Sequence, residues 1–182
     1  MIYSIKEIFY TVQGEGVHTG RASVFCRFSG CNLWNGREEN RKTAKCSFCD
    51  TDFVGTNGEG GGKFIDANKL AQTIISYWPS DERPFVVLTG GEPMLQVDNC
   101  LINTLKKYDC EIAIETNGTI KVPREIDWIC VSPKAGNKII QTSGDELKLV
   151  YPQTGVKPRS FEKYAFKNFS LHPMDGALKV HN

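Results

Sequence analysis

Short apolar runs alternate with segments of helical periodicity through the middle of the chain. The run Phe85 to Leu88 (FVVL) is continuously apolar, which is typical of a strand buried on both faces of a parallel sheet. Before it, apolar residues recur at helical spacing, at Ala67, Leu70, Ala71, Ile74, Ile75 and Trp78. Asp66 is a cap for this helix, and Pro79 ends it. Strand–helix alternation predicts a parallel α/β sheet with right-handed crossovers.

More elements follow from the same patterns. The further predicted strands are Ser23 to Phe28, Glu111 to Glu115, Trp128 to Val131, Leu147 to Val150 and Phe169 to Leu171. A second helix contains Val97, Leu101, Ile102 and Leu105, with Asp98 as its cap. With 182 residues the chain is a single domain, residues 1–182, and it is too short for a complete eightfold β/α barrel, which typically needs about 250 residues.

Four predicted strands are followed by polar turns rich in Gly or Pro. These turns begin at Thr89 (TGGEP), Thr116 (TNG), Ser132 (SPK) and His172 (HPMD). One such turn is ordinary βα chemistry, but four at the edge where parallel sheets bind ligands predict a site. The TGG segment exposes backbone groups that suit a small polar ligand, and it does not match the dinucleotide fingerprint G-x-G-x-x-G. Lys134 is a candidate for holding a carboxylate.

Charge and cysteine usage exclude several function classes. Lys plus Arg is 22 and Asp plus Glu is 21, so a net charge of +1 gives no long-range field for nucleic acid or an anionic membrane. The start of the chain has no signal-peptide pattern, and the apolar runs are far shorter than a membrane span. Seven cysteines are an odd number, which disulfides would not use up. We therefore expect a cytoplasmic protein whose cysteine pairs serve as metal ligands or catalysts.

Cys31, Cys46 and Cys49 lie in a polar loop, at about residues 30–63, with the spacing C-x14-C-x2-C. A loop of this length in a compact domain needs something other than a core to order it, and bound metal is the obvious candidate. The two-residue gap lets both sulfurs of the pair bind one metal or cluster. Three thiolates on a [4Fe–4S] cluster would leave one iron free for an exogenous ligand, whereas four cysteines normally hold it.

Two other uses of these cysteines stay open. A redox Cys-x-x-Cys would want a strand before it and a helix after it, and here a charged loop precedes the pair. Structural zinc needs four ligands, and His18 or Cys26 would have to complete the set, although Cys26 in an apolar strand is better explained as a buried small hydrophobe. Cys100, Cys110 and Cys130 have no predicted role.

The chain resembles the radical S-adenosylmethionine (SAM) enzymes, and within them the 7-carboxy-7-deazaguanine synthases. The matching segments begin at Ile8 (IFYTVQGEG), Val24 (VFCRFSGCNLW), Cys46 (CSFCDTDFVGT), Thr89 (TGGEPMLQ), Ala113 (AIETNGT), Asp127 (DWICVSPKA) and His172 (HPMDG). They span nearly the whole chain in the right order. Most of the superfamily has C-x3-C-x2-C, and the long first gap resembles a variant within this branch. The resemblance implies a partial, incomplete β/α barrel of mostly parallel strands with a cysteine-bearing loop insertion.

The resemblance also implies the site residues. Cys31, Cys46 and Cys49 would ligate a [4Fe–4S] cluster, and Thr51 would bind Mg²⁺ through its hydroxyl. The residues implied to contact SAM are Phe48, Cys49, Asp50, Gly91, Ser132, Pro133, Lys134, His172, Pro173, Met174 and Asp175. Those implied for the substrate pocket are Val12, Gln13, Gly14, Glu15, Arg27 and Thr89. The apolar neighbours of Arg27 favour a buried carboxylate partner for its guanidinium.

The implied activity is a lyase reaction that converts 6-carboxy-5,6,7,8-tetrahydropterin to 7-carboxy-7-deazaguanine with loss of ammonia, in queuosine and deazaguanine biosynthesis. The cluster, reduced by a flavodoxin- or ferredoxin-type donor, would cleave SAM to a 5′-deoxyadenosyl radical, and SAM would be regenerated. The implied assembly is a homodimer, with no direct contact to nucleic acid or membrane. The family usually continues for some thirty residues after HPMDG, whereas this chain ends at Asn182. If this end is the natural one, we expect the last barrel element and part of the pocket to be missing, with either a homodimer partner covering the gap or a weakly active or inactive protein; the alternative is a truncated reading frame.

Two alternatives to this activity are compatible with the sequence. One is another radical SAM enzyme, such as an activating enzyme. The other is a zinc-binding interaction or RNA-contacting module that keeps the fold, against which the near-neutral charge argues in the RNA case.

Overall fold

A computed structural model describes residues 2–174 of the chain. Its strands are β1 (Tyr3–Val12), β2 (Ala22–Phe28), β3 (Gly62–Phe64), β4 (Phe85–Gly90), β5 (Glu111–Thr116), β6 (Trp128–Val131), β7 (Ser143–Tyr151) and β8 (Ala165–Pro173). Two α-helices, α1 (Ala67–Ser76) and α2 (Asn99–Lys107), accompany them. Short 3-10 helices cover Glu38–Thr43, Pro93–Leu95 and Pro158–Phe161.

All eight strands form one sheet in the order β3-β1-β2-β4-β5-β6-β7-β8. From β2 onward every neighbouring pair is parallel, whereas β1 runs antiparallel to both β2 and β3. Among the described residues, the two ends of the sheet, β3 and β8, do not pair with each other, so the barrel formed by residues 2–174 is not closed. The prediction of an incomplete β/α barrel of mostly parallel strands is confirmed.

The largest apolar core lies between the sheet and the two α-helices. It includes Leu70 and Ile74 of α1, Leu101 and Leu105 of α2, and Cys26 of β2, all fully buried. Asp66 and Asp98 cap the helices by accepting hydrogen bonds from the backbone N–H groups of Lys69 (2.7 Å) and Leu101 (2.9 Å). Within the described residues, no helix is both long and apolar enough to cross a membrane.

Two strands lie outside the sequence prediction, and β7 and β8 are longer than predicted. β1 pairs with β2 from Ile5 to Val12, and β3 adds three residues at the far edge. The last glycine of the glycine-rich run before Lys63, Gly62, starts β3, so the polar loop predicted at about residues 30–63 ends in a short strand. The connections from β5 to β6 and from β6 to β7 contain no helix among the described residues.

The cysteine-bearing loop has a small apolar core of its own. Leu33, Trp34 and Phe53 are buried, and the ring of Trp34 meets that of Phe53 edge-on with centroids 5.6 Å apart. Burial of two large aromatic side chains is a substantial stabilising contribution for so short a segment. The expectation that metal alone orders this loop is therefore too narrow, since side-chain packing contributes to it.

Candidate active site

A cavity of about 570 Å³ opens at the carboxyl ends of the parallel strands. This volume is typical of a small-molecule site. Of the predicted substrate-pocket residues, those that line it are Gln13, Gly14, Glu15, Arg27 and Thr89. Of the predicted SAM contacts, those that line it are Phe48, Cys49, Asp50, Gly91, Ser132, Lys134, His172, Pro173 and Met174. Cys31, Cys46 and Thr51 line it as well.

Two of the predicted site residues that the structure describes, Val12 and Pro133, do not line the cavity. Val12 is exposed at the end of β1, on the opposite side of the strand from Gln13, because successive side chains alternate across a strand. Pro133 is buried away from the cavity, and its carbonyl accepts a hydrogen bond from the Gln153 side-chain amide (3.2 Å). Asp175 lies outside the described residues, as does the glycine that ends the HPMDG motif.

The three thiols of the loop sit together at one end of the cavity. Cys46 is buried, and its thiol donates a hydrogen bond to the sulfur of Cys49, which lowers the pKa of Cys49 below its ordinary value. The backbone N–H of Thr51 also donates to Cys49, and burial raises the pKa of Cys31. The pair therefore already favours one thiolate, the form that binds metal.

The three thiols suit the corners of an iron–sulfur cluster. Within residues 2–174, no group of three or more His, Cys, Asp or Glu side chains is arranged to hold a single metal ion. A cubane cluster instead binds one thiolate at each of several iron corners, so its ligands surround the cluster and do not converge on one point. The remaining cysteines do not line the cavity, and Cys26 faces the helix side of the sheet. The donor set is three thiols beside an open cavity.

The TGGEP turn brings β4 against the start of the cysteine loop. A Cβ at Gly91 would lie 2.1 Å from the carbonyl oxygen of Gly30 and 3.0 Å from Cβ of Cys31, so only glycine allows this approach. The next residue, Glu92, is fully buried. Its carboxylate accepts hydrogen bonds from the Thr116 hydroxyl (2.7 Å) and the Asn117 N–H (2.8 Å). Burial raises the pKa of Glu92, and these donors offset part of that rise. Glu92 thus joins the TGGEP and TNG turns.

The floor of the cavity contains a network of charged groups that the sequence patterns did not reveal. Lys148 of β7 has a side chain only 8% exposed, and its Nζ lies 2.7 Å from Oε2 of Glu15 and 3.2 Å from Oε1 of Glu115. Glu115 also accepts hydrogen bonds from the Gln13 amide (3.2 Å) and the Thr89 hydroxyl (3.1 Å). These residues come from four separate parts of the chain.

The protonation states of this network follow from its charge pairing. Burial by itself would lower the pKa of Lys148, but the nearby carboxylates of Glu115 and Glu15 raise it above its ordinary value. Burial would raise the pKa of Glu15, and Lys148 reverses this and lowers it. One ammonium thus faces two carboxylates, which leaves a net negative floor suited to hydrogen-bond donors on a ligand.

Arg27 and Lys134 occupy two other parts of the wall. The predicted carboxylate partner of Arg27 is within the chain, because its Nε donates to Oε1 of Glu7 on the neighbouring strand (2.7 Å). Lys134 donates from Nζ to the hydroxyl of Ser132 (2.6 Å) and to its carbonyl (3.1 Å), and it lies 5.9 Å from the ring centroid of Phe48. Burial lowers the pKa of Lys134. Its ammonium is therefore held at the thiol end of the cavity.

Sequence reasoning missed Glu115 and Lys148. Each is a charged residue that directly follows an apolar residue of a buried strand segment, in AIE of β5 and in LKLV of β7. Burying a charged side chain without a partner is energetically costly, so a charged residue beside apolar strand residues is a sequence signal for a buried ion pair. The identity of the partners depends on strand order, which a single sequence does not contain.

Comparisons with known proteins agree with this geometry. The model of the radical SAM superfamily matches residues 43–164. A 7-carboxy-7-deazaguanine synthase from Bradyrhizobium diazoefficiens is 59% identical over 183 residues, covering 100% of this chain and 87% of that protein. A protein of the same name from Nitratidesulfovibrio vulgaris is 57% identical over 180 residues, covering 97% of this chain and 83% of that protein.

A solved structure shows the same fold. The crystal structure of QueE from Escherichia coli aligns with a TM-score of 0.69 and 22% sequence identity, and the alignment covers 100% of this chain and 87% of that one. At this identity the likeness supports the architecture, which is the open, mostly parallel sheet described above.

Proposed function

This chain belongs to the radical SAM superfamily and, within it, to the 7-carboxy-7-deazaguanine synthases, and from that premise we propose how its cavity serves their reaction. The substrate is 6-carboxy-5,6,7,8-tetrahydropterin, and the products are 7-carboxy-7-deazaguanine and ammonia. The activity is that of a radical SAM carbon–nitrogen lyase in queuosine biosynthesis.

One observation supports the proposal above all others. Three thiols and a polar, charge-paired floor line the same cavity, so a redox centre and a small polar substrate would lie side by side. A lone zinc module has no need for a largely buried charge network of this kind, because burying charged groups costs desolvation energy.

At the thiol end, Cys31, Cys46 and Cys49 would hold a [4Fe–4S] cluster, and the TGG turn would offer its backbone to SAM. When bound, these two groups supply radical hydrogen abstraction, which is chemistry the side chains do not perform. Lys134 and Phe48 occupy the wall between the thiols and the floor. Their role would be to orient the bound groups and exclude water.

At the floor, Glu15 and Glu115 would accept hydrogen bonds from the N–H groups of the pterin ring. Gln13 and Thr89 hold Glu115 in place by hydrogen bonds, and Lys148 forms ion pairs with both Glu15 and Glu115. Arg27, whose Nε is bound to Glu7, would present the rest of its guanidinium to the substrate carboxylate. Rigid placement of the ring is the contribution of these residues, since orientation is worth orders of magnitude in rate.

We extend the proposal to Mg²⁺, with the hydroxyl of Thr51 as its protein ligand. Thr51 lines the main cavity and also a smaller cavity of about 320 Å³, where Asp50 is a further oxygen ligand and where Asp52 and Glu7 are already paired with Lys6 and Arg27. Oxygen ligands of this kind suit a hard divalent cation, which keeps several waters and can take a substrate carboxylate as well.

Replacing Thr51 with alanine is expected to remove the stimulation of turnover by Mg²⁺ while the cluster stays bound. Turnover measured against Mg²⁺ concentration, with iron content determined on the same sample, tests this. Thr51→Ser keeps the hydroxyl and is the matched control, so it should respond to Mg²⁺ like the parent protein. An unchanged Mg²⁺ response in Thr51→Ala would remove Thr51 from the site.

The external reductant of the cluster would be a flavodoxin- or ferredoxin-type protein, which supplies one electron at a time. Phe169 and Leu171 are exposed on β8 and are candidates for the contact surface of a homodimer. The described cysteines are all free thiols, which suits a cytoplasmic setting.

An anaerobic assay with the carboxypterin, SAM, a reductant and Mg²⁺ tests the proposed function. The expected result is the ring-contracted product and one ammonia per turnover, from brown protein with about four irons per chain. An intact cluster with SAM cleavage but no ring-contracted product would indicate another radical SAM reaction. A colourless protein that retains one zinc would indicate a binding module.

A further inference from the structure

The segment between Cys31 and Cys46 places a basic side chain against the Cys-x-x-Cys turn. The segment contains the 3-10 helix Glu38–Thr43, which buries none of its residues and ends where Ala44 N–H binds the carbonyl of Arg41 (3.1 Å). Because this helix buries none of its side chains, packing against the rest of the chain does not account for its presence. Its contacts are made instead by Arg41, whose side chain turns back toward the thiols.

Arg41 binds the turn through two backbone carbonyls. Its Nη1 donates to the carbonyl oxygen of Ser47 (3.0 Å) and to that of Cys49 (2.8 Å). Both carbonyls belong to the four-residue turn that contains the two thiols. A guanidinium that binds two carbonyls two residues apart fixes the conformation of that turn, because charge-assisted hydrogen bonds are short and strong.

The guanidinium of Arg41 also contacts a carboxylate and an aromatic ring. Its Nε donates to Oε1 of Glu38 (2.6 Å), and its Cζ lies 4.2 Å from the ring centroid of Trp34. Trp34 is buried against Phe53. Arg41 therefore connects the apolar core of the loop to the cysteine turn, and its side chain is only 29% exposed.

We propose that Arg41 is a positioning residue for the iron–sulfur cluster, which it serves by fixing the Cys46–Cys49 turn and by placing a permanent positive charge beside it. The inference rests on the cluster ligation proposed above and is independent of the pterin substrate. It gives the inserted segment a role, namely to deliver this guanidinium.

Two measurable consequences follow. A fixed turn keeps the sulfurs of Cys46 and Cys49 in binding geometry, so it slows loss of iron. A nearby cation favours addition of an electron to the cluster, so it raises the midpoint potential. Arginine stays charged at any working pH, which makes the second effect constant.

The experiment compares three variants in the full chain, reconstituted anaerobically. Arg41→Met removes the charge and the carbonyl contacts, and Arg41→Lys keeps the charge without the planar fork. Lys42→Met is the matched control, because Lys42 is an exposed cation on the same 3-10 helix. The readouts are the rate of iron release to a chelator, the midpoint potential from a redox titration followed by electron paramagnetic resonance, and circular dichroism of the apoprotein.

We expect Arg41→Met to lose iron several-fold faster than Lys42→Met and to have a lower midpoint potential. Arg41→Lys should keep a potential near that of the parent protein and still lose iron faster. If Arg41→Met matches Lys42→Met in both readouts, the inference is wrong. If Arg41→Met takes up no iron although its apoprotein is folded, Arg41→Lys decides, and parent-like iron release in that variant overturns the proposed turn contact. A parent protein that binds no cluster would instead refute the proposed function.

Discussion

Replacing Cys46 with alanine is expected to lower the iron content from about four per chain to less than one and to abolish turnover, because the two thiols left cannot hold the cluster. Of the three predicted cluster ligands, Cys46 gives the clearest test of the ligand set, because it is the most buried and donates a hydrogen bond to Cys49. Iron analysis and visible absorption after anaerobic reconstitution measure the loss. Circular dichroism checks that the sheet remains folded.

Cys26→Ala is the matched control for this experiment. Cys26 is also a buried cysteine, but it lies in the core between the sheet and the helices. It should therefore keep its iron and show only a modest loss of stability, as expected when a small buried side chain is truncated. Loss of iron from Cys26→Ala would mean that a fourth thiol takes part. Full iron content in Cys46→Ala would refute the proposed ligand set.

Replacing Lys148 with methionine is expected to lower the free energy of unfolding by about 3 kcal/mol, since it leaves the largely buried carboxylate of Glu115 without its counter-ion. The larger share comes from Glu115, whose side chain is 22% exposed, because Glu15 is 57% exposed and screened by water. Turnover should fall about a hundredfold as both carboxylates lose their orientation. Urea unfolding and the anaerobic assay measure the two effects.

Lys167→Met provides a control on the same sheet. Lys167 pairs with Asp145 at 2.7 Å, but its side chain is 75% exposed. Removing an exposed partner of this kind should cost less than about 1 kcal/mol. The double variant Lys148→Met with Glu115→Gln should recover part of the lost stability, because it removes the charge left unpaired. Equal destabilisation by Lys148→Met and Lys167→Met would show that the floor network is not a buried charge cluster.

Local sequence patterns were sufficient for most of the regular structure. The helices start at the predicted caps, Asp66 and Asp98, since capping is decided by a few neighbouring residues. The strand Trp128–Val131 has the predicted bounds, and Phe85–Gly90 and Glu111–Thr116 differ only at their ends. β1 was missed because it pairs antiparallel with two later segments, and its place in the sheet depends on those partners.

The cysteine spacing, the polar turns after the strands and the apolar strand pattern are properties of neighbouring residues. From these the sequence by itself determined the fold class and a site at the carboxyl ends of the strands. The tertiary structure alone decided that Lys148 meets Glu15 and Glu115, and that Arg41 reaches the carbonyls of Ser47 and Cys49. The physical reason is that a buried charge needs a partner, while the choice of partner depends on the order and register of strands and on how a loop folds over its own aromatic core.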